Sequence, residues 1–135
     1  LARFFCRGEV TSVESSGWKG FSESPMLLCA RIEFDSGDLA AYEALWSVDG
    51  PWSVAVTTES QRWEMRPIED CRWRPSNSSS WIQVPATAED VNFKPGLHQQ
   101  ATEAIRAATG RPHALQSIDS ALKSIELLSS IYTNS

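Results

Sequence analysis

The chain has 135 residues, near the commonest size for one domain around one core, so the whole of 1–135 reads as a single domain. With 41% hydrophobic and 21% charged residues it is neither a disordered tract nor a membrane protein, and no apolar run approaches the roughly 20 residues that span a bilayer. A formal charge of -5, from 17 acidic against 12 basic residues, argues against a nucleic-acid partner, because phosphate-binding proteins concentrate positive charge.

The opening residues Leu1 to Arg7 are too short and too charged for a signal peptide, and no initiator Met is present, so the chain reads as cut from a longer one. An alternating piece from Glu9 to Glu14 follows. Leu27 to Phe34 then places Leu28, Ala30, Ile32 and Phe34 on one face and Cys29, Arg31 and Glu33 on the other, the period of a half-buried strand. Asp35-Ser36-Gly37-Asp38 supplies turn chemistry, with Gly37 free to take positive φ. A second strand runs from Leu39 to Val48, and the Asp49-Gly50-Pro51 turn leads to a third, Trp52 to Thr58, which predicts an antiparallel meander. Shorter alternating pieces lie at Arg62–Arg66, Cys71–Arg74 and Trp81–Val84. In the first two of these the arginines occupy the exposed face of a hairpin while Trp63, Met65 and Trp73 pack. The polar run Ser76 to Ser80 is a loop, and its Asn77-Ser78-Ser79 sequon reads as a solvated turn.

From Pro95 the period changes. Leu97, Ala101, Ala104, Ile105 and Ala108 recur at helical spacing until Gly110 and Pro112 end the run. Ser117 is an N-cap for a second helix whose expected buried stripe is Ile118, Ala121, Leu122, Ile125, Leu128 and Ile131 or Tyr132. Ile125→Ala, in the middle of that stripe, is therefore expected to cost about 2–5 kcal/mol. Strands followed by helices predict an α+β fold: a predominantly antiparallel, open-faced sheet of about six strands with the C-terminal helices on one face.

The sequence carries few motifs of catalytic chemistry. No G-x-G pair occurs, so no dinucleotide loop is present, and neither a P-loop nor a serine-nucleophile motif is found. Cys6, Cys29 and Cys71 are widely spaced and the chain has two histidines, which indicates neither a disulfide framework nor a metal site and suits a reducing, cytoplasmic setting. Six tryptophans suit a core or an interface better than open surface.

The order of these pieces resembles the C-terminal domain of the glucose-fructose oxidoreductase and inositol dehydrogenase family. Leu1 to Val10 is similar to the end of that family's Asp- and His-bearing helix and its first sheet strand; Ala30 to Leu39 is similar to its central hairpin; Val54 to Ser60 resembles the next strand and turn; and His98 to Ser135 resembles its last two helices. At Glu59-Ser60-Gln61 the family's usual glycine is missing. The resemblance implies a parent enzyme that moves a hydride between a sugar or polyol and NAD or NADP. Its cofactor would sit on an N-terminal Rossmann domain that ends in a catalytic Glu-Lys-Pro stretch. Neither that domain nor the Asp and His are in this sequence, so no catalytic, cofactor-binding or metal residue is assigned, and the chain is expected to be inactive alone. Substrate-side candidates are Lys19, Tyr42, Lys94 and His98, against the default of ordinary solvated side chains. The resemblance also implies pairing through the open sheet face. A homodimer is expected because Leu39, Ala41 and Leu45 oppose Tyr42, Ala44, Trp46 and Val48, so both faces of that strand are apolar. The alternatives are a stand-alone carbohydrate-binding module using exposed tryptophans and a structural association module.

Overall fold

The computed structural model describes residues 1–19, 25–46, 49 and 52–133, with Lys19, Pro25 and Met26 as backbone only. In chain order the elements are α1 (Ala2–Phe5), β1 (Val10–Lys19), β2 (Pro25–Phe34), β3 (Leu39–Leu45), β4 (Val54–Thr57), β5 (Gln61–Met65), β6 (Cys71–Pro75), β7 (Ile82–Gln83), α2 (Ala88–Asn92), α3 (Leu97–Ala108) and α4 (Ile118–Thr133). The α+β class stands, and every strand pairing among the described residues is antiparallel. The chain forms two compact units: Leu1–Asp49 with Gln116–Ser135, and Gly50–Leu115.

The first unit is the sheet β1-β2-β3 covered on one face by α4. Its core is the predicted row: Leu28 is 0% exposed, Ile32 1%, and Ala30 and Phe34 are buried beside them. Removing Leu28 and Ile32 from water contributes about 1.5–3 kcal/mol each. Register puts Val10, Val13 and Ser15 of β1 and Ala40, Tyr42 and Ala44 of β3 on the same face, and Leu127 and Ile131 of α4 close it. Ser15 Oγ donates to the Ile131 carbonyl at 2.7 Å, satisfying one of the acceptors that a helix end leaves free. Ser117 caps α4 as expected, its Oγ accepting from the Ser120 amide.

The β2–β3 turn does more than reverse the chain. Gly37 takes the expected positive φ of 84°, and the turn grips residues 7–9. Asp38 accepts from the Arg7 backbone and from its guanidinium at 2.8, 3.0 and 2.6 Å, Asp35 Oδ1 accepts from the Glu9 amide, and Ser36 Oγ donates to the Arg7 carbonyl. The Arg7 contacts hold the Asp38 carboxyl well below the usual carboxylate range.

Two expectations about the helices are corrected. On α4 only Ala121 and Ile131 of the expected stripe turn inward, joined by Leu127, while Ile118, Leu122, Ile125, Leu128 and Tyr132 are exposed, Ile125 at 62%. The helix has apolar residues on two sides, so periodicity alone does not choose between them, and the tie from Ser15 and the contact of Ile131 with β2 do. On α3 the expected stripe, including Leu97 and Ile105, is likewise exposed, and the buried residue is Glu103. Its carboxylate accepts from Arg106 and from the Ala114 amide, both at 2.6 Å, which fastens the segment after the helix; these contacts lower its pKa, the Ala114 amide first.

The meander is also corrected. It is made by β1-β2-β3, and the Trp52–Thr58 run enters the second unit as β4 of the sheet β4-β5-β6-β7. The Asp49-Gly50-Pro51 turn expected before it lies, Asp49 apart, outside the described residues, as does Val48. The reason is local: Thr58 and Gln61 exchange backbone and hydroxyl bonds of 2.8–3.2 Å across two residues, so β4 closes on β5 at little entropic cost. β5 and β6 form the expected hairpin, with Trp63 stacked on Trp73 at 5.6 Å between ring centroids. A short helix the sequence reading missed, α2, begins at Thr87, whose Oγ1 accepts from the Asp90 amide.

Candidate functional site

Strand alternation and register define what the open face of the first sheet presents. Cross-strand partners share a face, so the side opposite the core carries the rows Trp18–Leu27–Leu45, Ser16–Cys29–Glu43, Glu14–Arg31–Ala41 and Ser12–Glu33–Leu39. Its middle is charged and acidic on balance, Arg31 standing against Glu14, Glu33 and Glu43: Arg31 lies 2.7 Å from Glu33 and 3.9 Å from Glu14. Its ends are apolar, with Trp18 56% exposed, Leu45 53% and Leu39 61%. Between Trp18 and Arg31 lies a depression of about 350 Å³ floored by Ser16 and Cys29. A planar ring beside a guanidinium and hydroxyls can take up a polar, flat-faced ligand or an opposing side chain; nothing in the arrangement is a nucleophile paired with a base.

The predicted site residues fall in two places. Lys19 closes β1 opposite Pro25, and its side chain lies outside the described residues. Tyr42 points to the core side, where burial and a hydrogen bond with Tyr132 push its hydroxyl up to about 12. Trp46 packs edge-on against the same Tyr132, ring centroids 5.9 Å apart, so of the two apolar faces of β3 the outer one is that of Leu39, Ala41 and Leu45. Lys94 and His98 belong to the second unit, both exposed: Lys94 in the link between α2 and α3, and His98 in the first turn of α3 with its carbonyl accepting from Thr102. No group of three metal-ligating side chains gathers among the described residues, and the three thiols are unbridged.

The sequence reading missed a second cavity, of about 230 Å³, where Arg3, Glu9 and Lys123 meet over Val13 and Leu127. Glu9 bridges Lys123 at 2.7 Å and Arg3 at 3.3 Å, and both cations lower its pKa, Lys123 first. Glu9 and Lys123 are 114 residues apart, and no motif announces such a pair.

No family model matches the sequence, and no curated protein does. The fold is shared with part of one solved enzyme. Two crystal forms of UDP-N-acetylglucosamine 3-dehydrogenase GnnA from Acidithiobacillus ferrooxidans match with TM-scores of 0.67 and 0.68 at 12% and 11% identity, over 94% and 93% of this chain. The chain spans 39% of the length of each. Likeness at that identity carries the fold. No helix among the described residues is long and apolar enough to cross a membrane.

Proposed function

We propose that this chain is the C-terminal, substrate-side and oligomerisation domain of a cytoplasmic NAD- or NADP-dependent oxidoreductase acting on a sugar or polyol. The observation that carries the reading is that nearly the whole chain matches less than half of an enzyme named as a sugar-nucleotide dehydrogenase, in agreement with the sequence resemblance. In this reading a separate Rossmann domain supplies the cofactor and the catalytic groups, and this chain supplies a wall of the cleft and a pairing surface. Lys19, Lys94 and His98 remain its substrate-side candidates, with Tyr42 acting from beneath as packing.

Because dinucleotides are held by backbone N–H groups of a glycine-rich turn that this sequence does not contain, the chain alone is expected to bind neither NAD(H) nor NADP(H). Calorimetric titration with all four forms checks this, and saturable micromolar binding of any of them would overturn the missing-domain reading.

The pairing surface is the outer face of β1-β2-β3. A twofold face-to-face dimer would cover Trp18, Leu39 and Leu45, whose apolar area otherwise stays in water. Light scattering over a concentration series is expected to give a mass near twice 15.0 kDa. Trp18→Asp or Leu45→Asp should shift it to monomer, whereas Trp46→Asp acts on the helix side and should unsettle the fold instead. A monomer at high micromolar concentration removes the dimer from the proposal.

A further inference from the structure

On the second sheet, alternation separates the strands into an aromatic and a charged face. Trp63, Met65, Cys71 and Trp73 stand on one, and Arg62, Glu64, Arg72 and Arg74 on the other, with Arg62 directly opposite Arg74 and Glu64 opposite Arg72. The single carboxylate of this quartet is already shared: Glu64 lies 3.1 Å from Arg62 and 2.8 Å from Arg72, and these contacts lower its pKa, Arg72 first. Asp70, at the rim, is engaged by the Gln83 amide. Arg74 therefore has no carboxylate partner among the described residues. Its Nη1 donates to the Ser78 carbonyl at 2.6 Å, and its Nε is buried with no acceptor. Arg74 and Arg72 nevertheless converge on one ring, their guanidinium carbons 5.1 and 4.5 Å from the Trp81 centroid.

Three guanidiniums thus share one carboxylate: Glu64 serves Arg62 and Arg72, while Arg74, held beside Arg72 on one indole and directly across the strand from Arg62, meets two like charges and, among the described residues, no carboxylate. Guanidiniums left in this state are matched to an incoming anion: each offers a planar fork of donors that pairs in bidentate fashion with a phosphoryl or carboxylate group, and the ring beneath fixes the forks' orientation. We propose that the Arg72–Arg74–Trp81 face of the second unit binds a small soluble ligand through such an oxyanion. Partial exposure of Arg72, 46% for its side chain, leaves the approach open. The site is independent of the dehydrogenase reading and uses none of its candidate residues.

The test is calorimetric titration of the whole chain at low salt with inorganic pyrophosphate and, separately, with glucuronate. The arm that binds names the group as phosphoryl or carboxylate. Saturable binding with a Kd below about 1 mM is expected for one of them, weakening as salt is raised. Arg74→Gln and Arg72→Gln should each weaken it about tenfold or more, while Arg111→Gln, an exposed arginine outside the face, should leave it unchanged. Near-ultraviolet circular dichroism confirms folding of each variant. Should Arg74→Gln fail to fold, Arg74→Lys keeps the charge without the fork and is expected to fold and to bind more weakly than the native chain. Absence of binding by either anion at about 10 mM, or affinity undiminished in folded Arg72→Gln and Arg74→Lys, would overturn the proposal.

Discussion

Ile131→Ala is expected to destabilise the chain by about 2–5 kcal/mol, while Ile125→Ala, earlier on the same helix and on a different side of it, is expected to cost under about 0.5 kcal/mol. Ile131 is 3% exposed and packs with Leu28, Ala30, Ile32 and Phe34; its truncation leaves a cavity where helix meets sheet. Ile125, at 62% exposure, gives up little contact. Since whole domains are held by about 5–15 kcal/mol, the first variant should show a midpoint displaced far to low denaturant with an unchanged slope. The reverse order of the two costs in urea titrations would mean that α4 is rotated by about a third of a turn and that the stripe expected from periodicity is the buried one.

Gly8→Ala is the second large effect. Gly8 holds φ at 79°, a left-handed conformation that costs an alanine about 1–2 kcal/mol, and a methyl group there would collide with Asp35 Oδ1. The carboxylate is not free to swing away, because it accepts from the Glu9 amide, and the added methyl would also lie 3.2 Å from the Ser36 backbone nitrogen, which cannot yield. Strain and the loss of that bond together should cost about 2–4 kcal/mol. Thermal melts measure it. A loss below about 0.5 kcal/mol would show that the grip of the β2–β3 turn on residues 7–9 contributes nothing to stability. Asp35→Ala, which makes room for the methyl, should recover part of the loss when combined with Gly8→Ala.

What the sequence disclosed, it disclosed where one interaction dominated. The Leu28-Ala30-Ile32-Phe34 alternation is legible because β2 is the central strand and one of its faces is sealed. Ser117 is legible because capping is decided within one turn, and the Arg/Trp alternation because a hairpin with a short connection fixes its own register. Failures cluster where two solutions were nearly equal. α4 has apolar residues on both sides, and β4 could have extended the first sheet or paired with β5. α2 was missed although Thr87 and Asp90 stand three apart, a spacing that signals a capped helix start when it is looked for. Of the candidate surfaces, the arginines of β5 and β6 were visible and Trp81's place under two of them was not, because β7 is only two residues long and its pairing with β6 leaves little trace in the sequence.

The bond from Ser15 to the Ile131 carbonyl joins positions 116 residues apart, and it bears on the order in which the protein is made. In the course of translation the strands of the first unit leave the ribosome with Leu28, Ile32 and Phe34 uncovered, because the helix that shields them is made only after Gly50–Leu115. The second unit, contiguous in sequence, can reach its native pairing first, so the earlier-made strands are the later to be completed. This part of the nascent chain is thus most exposed to aggregation, and most in need of a holding chaperone, between the emergence of β3 and the emergence of α4.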